Sequence, residues 1–206
     1  MEIYMKFTDK KTYLVVRAIL REKKFKQYQI SKEEKVAFSK VNMIVNWMVS
    51  LGYVGKRKGE LAKAGKVGKR KGYYELISPG ALFGLFHIYR QLKPYKTFDV
   101  DLSNPKAIEI LKGRAALCLT SALSFYDNYY RDSAIYAYVL DEKLLDDLKE
   151  LPEGLTRIEI YKEDLNRDDF VRKKSILMTN KTRTIIDLYC ANRAYAAERL
   201  IKREFL

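Results

Sequence analysis

Two basic triplets, Lys56-Arg57-Lys58 and Lys69-Arg70-Lys71, sit ten residues apart inside a hexapeptide, VGKRKG, that occurs at 54–59 and again at 67–72. Ammonium and guanidinium groups at this density do one kind of chemistry: they neutralise closely spaced anions, phosphates above all. Between Val54 and Gly72 eight Lys or Arg residues face one acid, Glu60, a net of +7 in a chain of formal charge +14. Such contacts supply affinity and salt dependence rather than base readout. Two blander readings compete, a solvated loop tip and a bipartite nuclear-localisation pattern. The elements on either side favour phosphate contact.

The acids offer less. Asp99-x-Asp101 has the spacing by which two carboxylates on a strand hold a divalent metal for phosphoryl transfer. A metal-dependent nucleotidyltransferase or nuclease would need more: no Gly-Ser turn precedes the pair and no third carboxylate follows. Glu159 in TRIEIY has no partnering Asp and Lys at useful spacing. Solvent-facing acids near a strand end account for both. His87 is the one histidine, and Cys118 and Cys190 lie in apolar surroundings. Neither a zinc site, a Ser-His-Asp arrangement nor a disulfide framework is supplied. No catalytic residue, metal or cofactor is expected.

Residues 1–80 carry 19 basic and 7 acidic side chains, whereas 81–206 carry 21 and 19. This split predicts a basic module drawn to polyanions, followed by a nearly balanced one. No apolar run reaches the ~18 residues of a membrane span, and MEIYMKFTDKK lacks a secretory apolar core. A cytoplasmic chain without a membrane partner is expected.

In the basic module, Thr8 is placed to cap a helix over 9–21, and FKQYQI (25–30) reads as a short strand. Ser31 and Glu34 have capping-box spacing before a short helix, KEEKVAF. After a turn near Ser39 a third helix, KVNMIVNWMVSL, closes at Gly52. Its core face is Val41, Ile44, Val45, Met48 and Leu51. The opposite face, with Lys40 at its flank, offers Ser39, Lys40, Asn42, Met43 and Asn46 as base-reading candidates, with solvated polar positions as the plain alternative. Tyr53–Val54 and Tyr73–Ile77 read as the strands of a hairpin whose long tip is the doubled hexapeptide. The order helix, strand, helix, helix, hairpin predicts a winged helix-turn-helix over 1–78.

Ser78-Pro79 opens a helix expected to connect the modules over 79–94. Residues 95–206 read as a small α/β domain for assembly or partner binding, making the chain α+β overall. Strands are expected at 97–102, 133–140, 156–161 and 172–179. Helices are expected from Asn104 through about 125, interrupted at Gly113, then at EKLLDDLKEL and from Thr182 to Phe205. Arg172, Lys173, Lys174, Arg199, Lys202 and Arg203 form a candidate second phosphate-contacting patch, or else a solvated face.

LTSALSFY followed by SAIYAYV resembles the helix and strand of the AbiEi-type antitoxin family. ILMTNKTRTIIDL resembles its later signature, here Arg183, Thr184, Ile185, Ile186 and Asp187. The resemblance implies a winged-helix repressor of its own operon that neutralises a nucleotidyltransferase-like toxin. Double-stranded DNA, such a toxin and a second copy of the chain are the partners to expect. Tyr126-Asp127-Asn128-Tyr129-Tyr130 departs from the family's usual turn, and the long double-KRK tip is also unusual. Arg183 and Asp187, four apart, are expected to pair on one helix face.

Overall fold

The computed structural model describes residues 9–57, 72–89, 91–162 and 167–205, with backbone alone at 87–89. Thr8, the His87 side chain, Lys58 and the whole second triplet therefore lie outside the described residues. The chain is mixed α and β with two sheets, and it divides into two compact units, 1–90 and 91–206.

In the first unit, α1 (Lys10–Glu22) is capped by Asp9, whose carboxylate accepts the Lys11 N–H at 2.8 Å. β1 is only Lys24–Phe25; Gln27–Glu33 is already helical (α2), so the expected strand at 25–30 stops after its first residue. The expected capping box fails for a related reason. Ser31 lies inside α2 and donates to Val36 O at 2.8 Å. Glu34 is drawn instead into ion pairs with Arg17 (3.1 Å) and Arg21 (3.3 Å) of α1. Arg21 also reaches Glu33 at 3.0 Å, so α1 clamps the end of α2. Four residues, with Lys35 at φ 52°, then turn the chain into α3 (Phe38–Ser50).

Val41, Ile44, Val45 and Met48 of α3 are buried as their spacing requires, packing the unit's core with Val16, Ile19 and Leu20 of α1. Leu51 is exposed, because the helix has already turned out at its C-cap. Gly52 at φ 74° lets its own N–H reach Val49 O and the Tyr53 N–H reach Met48 O, both at 3.0 Å. A Cβ on Gly52 would meet nothing within 4 Å. Gly52→Ala is therefore expected to cost about 1–2 kcal/mol, the intrinsic penalty of the left-handed backbone alone. Urea unfolding of the full chain measures it.

β2 (Val54–Arg57) and β3 (Tyr73–Leu76) form the hairpin in the register Val54↔Leu76, and β1 joins β3 on its far side. α4 (Pro79–Tyr89), expected between the modules, packs back on the first unit. Its Leu82, Phe83 and Phe86 are fully buried, and Phe86 meets Tyr13 edge-on at 5.4 Å.

The second unit is built on a six-stranded mixed sheet of order β4-β7-β6-β5-β9-β8. Its strands are β4 (Lys96–Val100), β5 (Ala115–Leu117), β6 (Ile135–Val139), β7 (Thr156–Tyr161), β8 (Phe170–Lys173) and β9 (Ile176–Thr179). Alternation sorts β6 and β7 by face. Ile135, Ala137, Ile158 and Ile160 enter an apolar core with residues of α5 (Asn104–Leu111) and α7 (Lys143–Lys149). Tyr136, Tyr138, Glu159 and Tyr161 take the other face.

Three expectations give way here. The helix read through 104–125 ends at Leu111; Gly113 at φ 75° releases the chain into β5, which pairs with β6 and β9 before α6 (Leu119–Leu123). The single strand at 172–179 is a hairpin, turned by Lys174 and Ser175 at φ 46° and 65°. The long terminal helix is two, α8 (Lys181–Cys190) and α9 (Ala194–Phe205), parted at Asn192, φ 59°.

Candidate nucleic-acid interface

The outward face of α3 presents Ser39, Met43 and Asn46 to solvent, with Asn42 half-buried beside them. These four are brought together. Asn42 Oδ1 accepts from Asn46 Nδ2 at 3.3 Å and from Gln27 Nε2 of α2 at 3.1 Å, so three amides form one ladder. Their remaining donors and acceptors stay available on the surface. Lys40 behaves differently: its ammonium lies 2.7 Å from Asp9 at the start of α1. Burial opposes ionisation of Asp9, but hydrogen bonds from Lys40 and from the Lys11 N–H hold its carboxyl below the ordinary value. Lys40 thus ties α3 to α1 and is less free to meet a ligand.

Gln27, bonded to Asn42, and the exposed Tyr28 of α2 and Phe38 of α3 escaped the sequence reading. Tyr28 is 71% exposed and Phe38 50%. A helical QYQI would have revealed the first two, but its alternation reads as a strand. Trp47 is half-buried, as its place between the two faces of α3 suggests.

On the hairpin, Lys56 is exposed and makes no ion pair or hydrogen bond to the described residues. Arg57 donates to Glu75 at 2.9 Å across the β2–β3 pair, and Lys24 of β1 approaches the same carboxylate at 3.3 Å. The hydrogen bonds from Arg57 and Lys24 lower the Glu75 pKa. Arg57 is thereby committed to the sheet, whereas no described residue holds the Lys56 ammonium. Lys58, Lys69, Arg70 and Lys71 lie outside the described residues.

The second candidate patch is only partly assembled. Lys173, Arg199 and Arg203 converge on the turn at 125–129. Lys173 donates to Phe125 O at 3.2 Å and stands 4.4 Å over the Tyr126 ring. Arg203 donates to Tyr126 O at 2.7 Å, and Arg199 sits 3.4 Å from Asp127 and 4.4 Å over Tyr129. Lys202 pairs instead with Glu198 at 2.8 Å, one helical turn back. Arg172 and Lys174 stay exposed on the β8–β9 hairpin.

The pair Arg183–Asp187 forms at 2.8 Å, in the interior rather than on a helix surface. Arg183 also donates to the Tyr138 hydroxyl at 3.1 Å, and that hydroxyl donates to Asp187 at 2.9 Å. Burial pushes the neighbouring Cys118 thiol well up, and Asp187 adds to the shift, which disfavours the thiolate.

Asp99 and Asp101 stand at the end of β4. Their backbones are engaged by a crossing segment: Gly154 N–H donates to Asp99 O at 3.2 Å, and Asp101 N–H donates to Pro152 O at 2.8 Å. A Cβ at Gly154 would lie 2.4 Å from the Asp101 Cα, which only glycine permits. Glu159 accepts from Tyr161 and Arg157 at 2.7 and 3.1 Å. Among the described residues no group of three or more His, Cys, Asp or Glu is placed to hold a metal ion. No helix of the described residues is long and apolar enough to cross a membrane. No family model, curated protein or solved structure matches the chain.

Proposed function

We propose that the chain is a sequence-specific DNA-binding transcription regulator whose first unit is a winged helix-turn-helix. The carrying observation is the polar α3 face, with its amide ladder, in the same unit as a hairpin leading into the doubled KRK segment. α2, the short turn and α3 serve as the helix-turn-helix, and the β1-β3-β2 sheet carries the wing. In this reading α3 enters the major groove, where Asn46 and Asn42 amides meet adenine edges and Met43 offers an apolar contact to a thymine methyl. The wing cations lie along the phosphates. The antitoxin resemblance extends the proposal: an autorepressor, cytoplasmic and acting as a dimer, whose second unit engages a nucleotidyltransferase-like toxin.

Binding to duplex DNA over a salt series is the test. Affinity should fall steeply and linearly on logarithmic axes as salt rises. No binding at low salt, or an almost flat slope, would reject the reading. Asn46→Ala should relax preference at one base position by about 1–3 kcal/mol while leaving other positions unchanged. Equal weakening on every sequence would remove α3 from the major groove.

A further inference from the structure

The second unit contains a cleft of about 330 Å³ between α5, α6 and the stretch 124–135. That volume lies within the range that holds small organic ligands, roughly 300–1,000 Å³. Its lining is divided by chemistry. Ile108 of α5, Leu117 of β5, Phe125 of the turn after α6 and Ile135 of β6 supply apolar lining. Arg131 also lines the cleft; it is exposed, its guanidinium without an ion pair or hydrogen bond to any described residue. Asn104 and Asn128 line the same cleft, and their side-chain amides are likewise unengaged by the described residues.

One carboxylate, Asp132, also lines the cleft, and it does not oppose a bound anion. Arg193 approaches it at 2.9 Å, and Thr120 and the Tyr136 hydroxyl donate to it at 3.2 and 3.1 Å. Its charge is thus balanced from within the fold. Among the described residues Arg131 is left as the cleft-lining cation without an ion pair. A guanidinium offers a planar fork that matches a carboxylate or phosphate, and hydrogen bonds to charged groups are the strong ones.

We propose that this cleft binds a small organic anion, its apolar body against Phe125 and Ile135 and its carboxylate or phosphate on Arg131. Asn104 and Asn128 complete the headgroup's hydrogen bonds. The site stands apart from nucleic-acid binding: a chain that binds no DNA can still bind this ligand, and the reverse.

The test is a titration of the full ¹⁵N-labelled chain with phenylacetate, phenyl phosphate and neutral phenylacetamide, followed by amide chemical shifts. At least one anion should shift the Asn104, Ser124, Asn128 and Ala134 amides saturably. The neutral amide should bind at least about tenfold more weakly. The two anions separate a carboxylate site from a phosphate site. Arg131→Ala should leave the rest of the spectrum in place and lower the anion's affinity about tenfold or more, and Arg131→Lys should recover part of it. Four outcomes overturn the proposal. They are equal affinity for phenylacetamide, unchanged affinity in Arg131→Ala, no shift with any probe, and shifts confined to the lysine-rich surface of the first unit.

Discussion

Arg183→Met is expected to lower the stability of the second unit by about 3–5 kcal/mol. Arg183 is 1% exposed and Asp187 wholly buried, so the substitution strips Asp187 of the cation 2.8 Å away. It also takes a donor from the Tyr138 hydroxyl and moves charge away from Asp169, 3.7 Å distant. A buried carboxylate without its counter-charge must be neutralised or left poorly solvated, and either is costly. The partner experiment fixes the cause. Arg183→Met with Asp187→Leu should recover most of the loss, because two apolar side chains of similar volume need no pairing. Urea unfolding of the full chain followed by far-UV circular dichroism gives both values. A loss below about 1 kcal/mol for the single change would mean that the pair is incidental.

The second large effect lies in the hairpin tip. Replacing Lys69, Arg70 and Lys71 together by glutamine should reduce the logarithmic salt slope of duplex binding by about 2.7, if each meets one phosphate. At about 0.15 M salt the same slope change corresponds to roughly 100-fold weaker binding, alike for every sequence. Lys56 and Arg57 provide the internal comparison. Lys56→Gln should follow the phosphate pattern, since nothing described holds that ammonium. Arg57→Gln removes the hydrogen bond to Glu75 and should shift stability as well as affinity. A salt slope that the triple change leaves untouched would exclude the tip from the contact.

Elements with a long, clean period were legible from the residues. The four buried positions of α3 follow the 3.6 spacing, and TRIEIY alternates polar with apolar residues. α2 was not, because it buries a single apolar residue, Ile30, and owes its place to Arg17 and Arg21 of another helix. β5 was not, because all three of its residues are buried and it has no period to read. The Lys174–Ser175 turn lacks the Asn or Gly that announces a two-residue hairpin. The same limits apply to the candidate sites. The α3 face was read residue by residue, whereas Gln27 depended on α2 being recognised. Arg131 comes from a coil, and only the fold sets it beside Phe125 and Asn104.

Among the described residues the sheet of the second unit is open, with β4 and β8 as its outermost strands. An open strand flank is a template on which another copy can add, and chains grow into fibres that way. One flank is shielded: the 152–154 segment takes up backbone groups at the end of β4. The other, β8, carries Arg172 and Lys173 in sequence, with Lys174 just beyond. A second β8 laid against it would bring two groups of cations close together, which disfavours the pairing. Whatever they do for a ligand, these three charges are of the kind that blunts an open strand edge. Removing them should reveal itself first as aggregation during refolding, before any change in the stability of the folded chain.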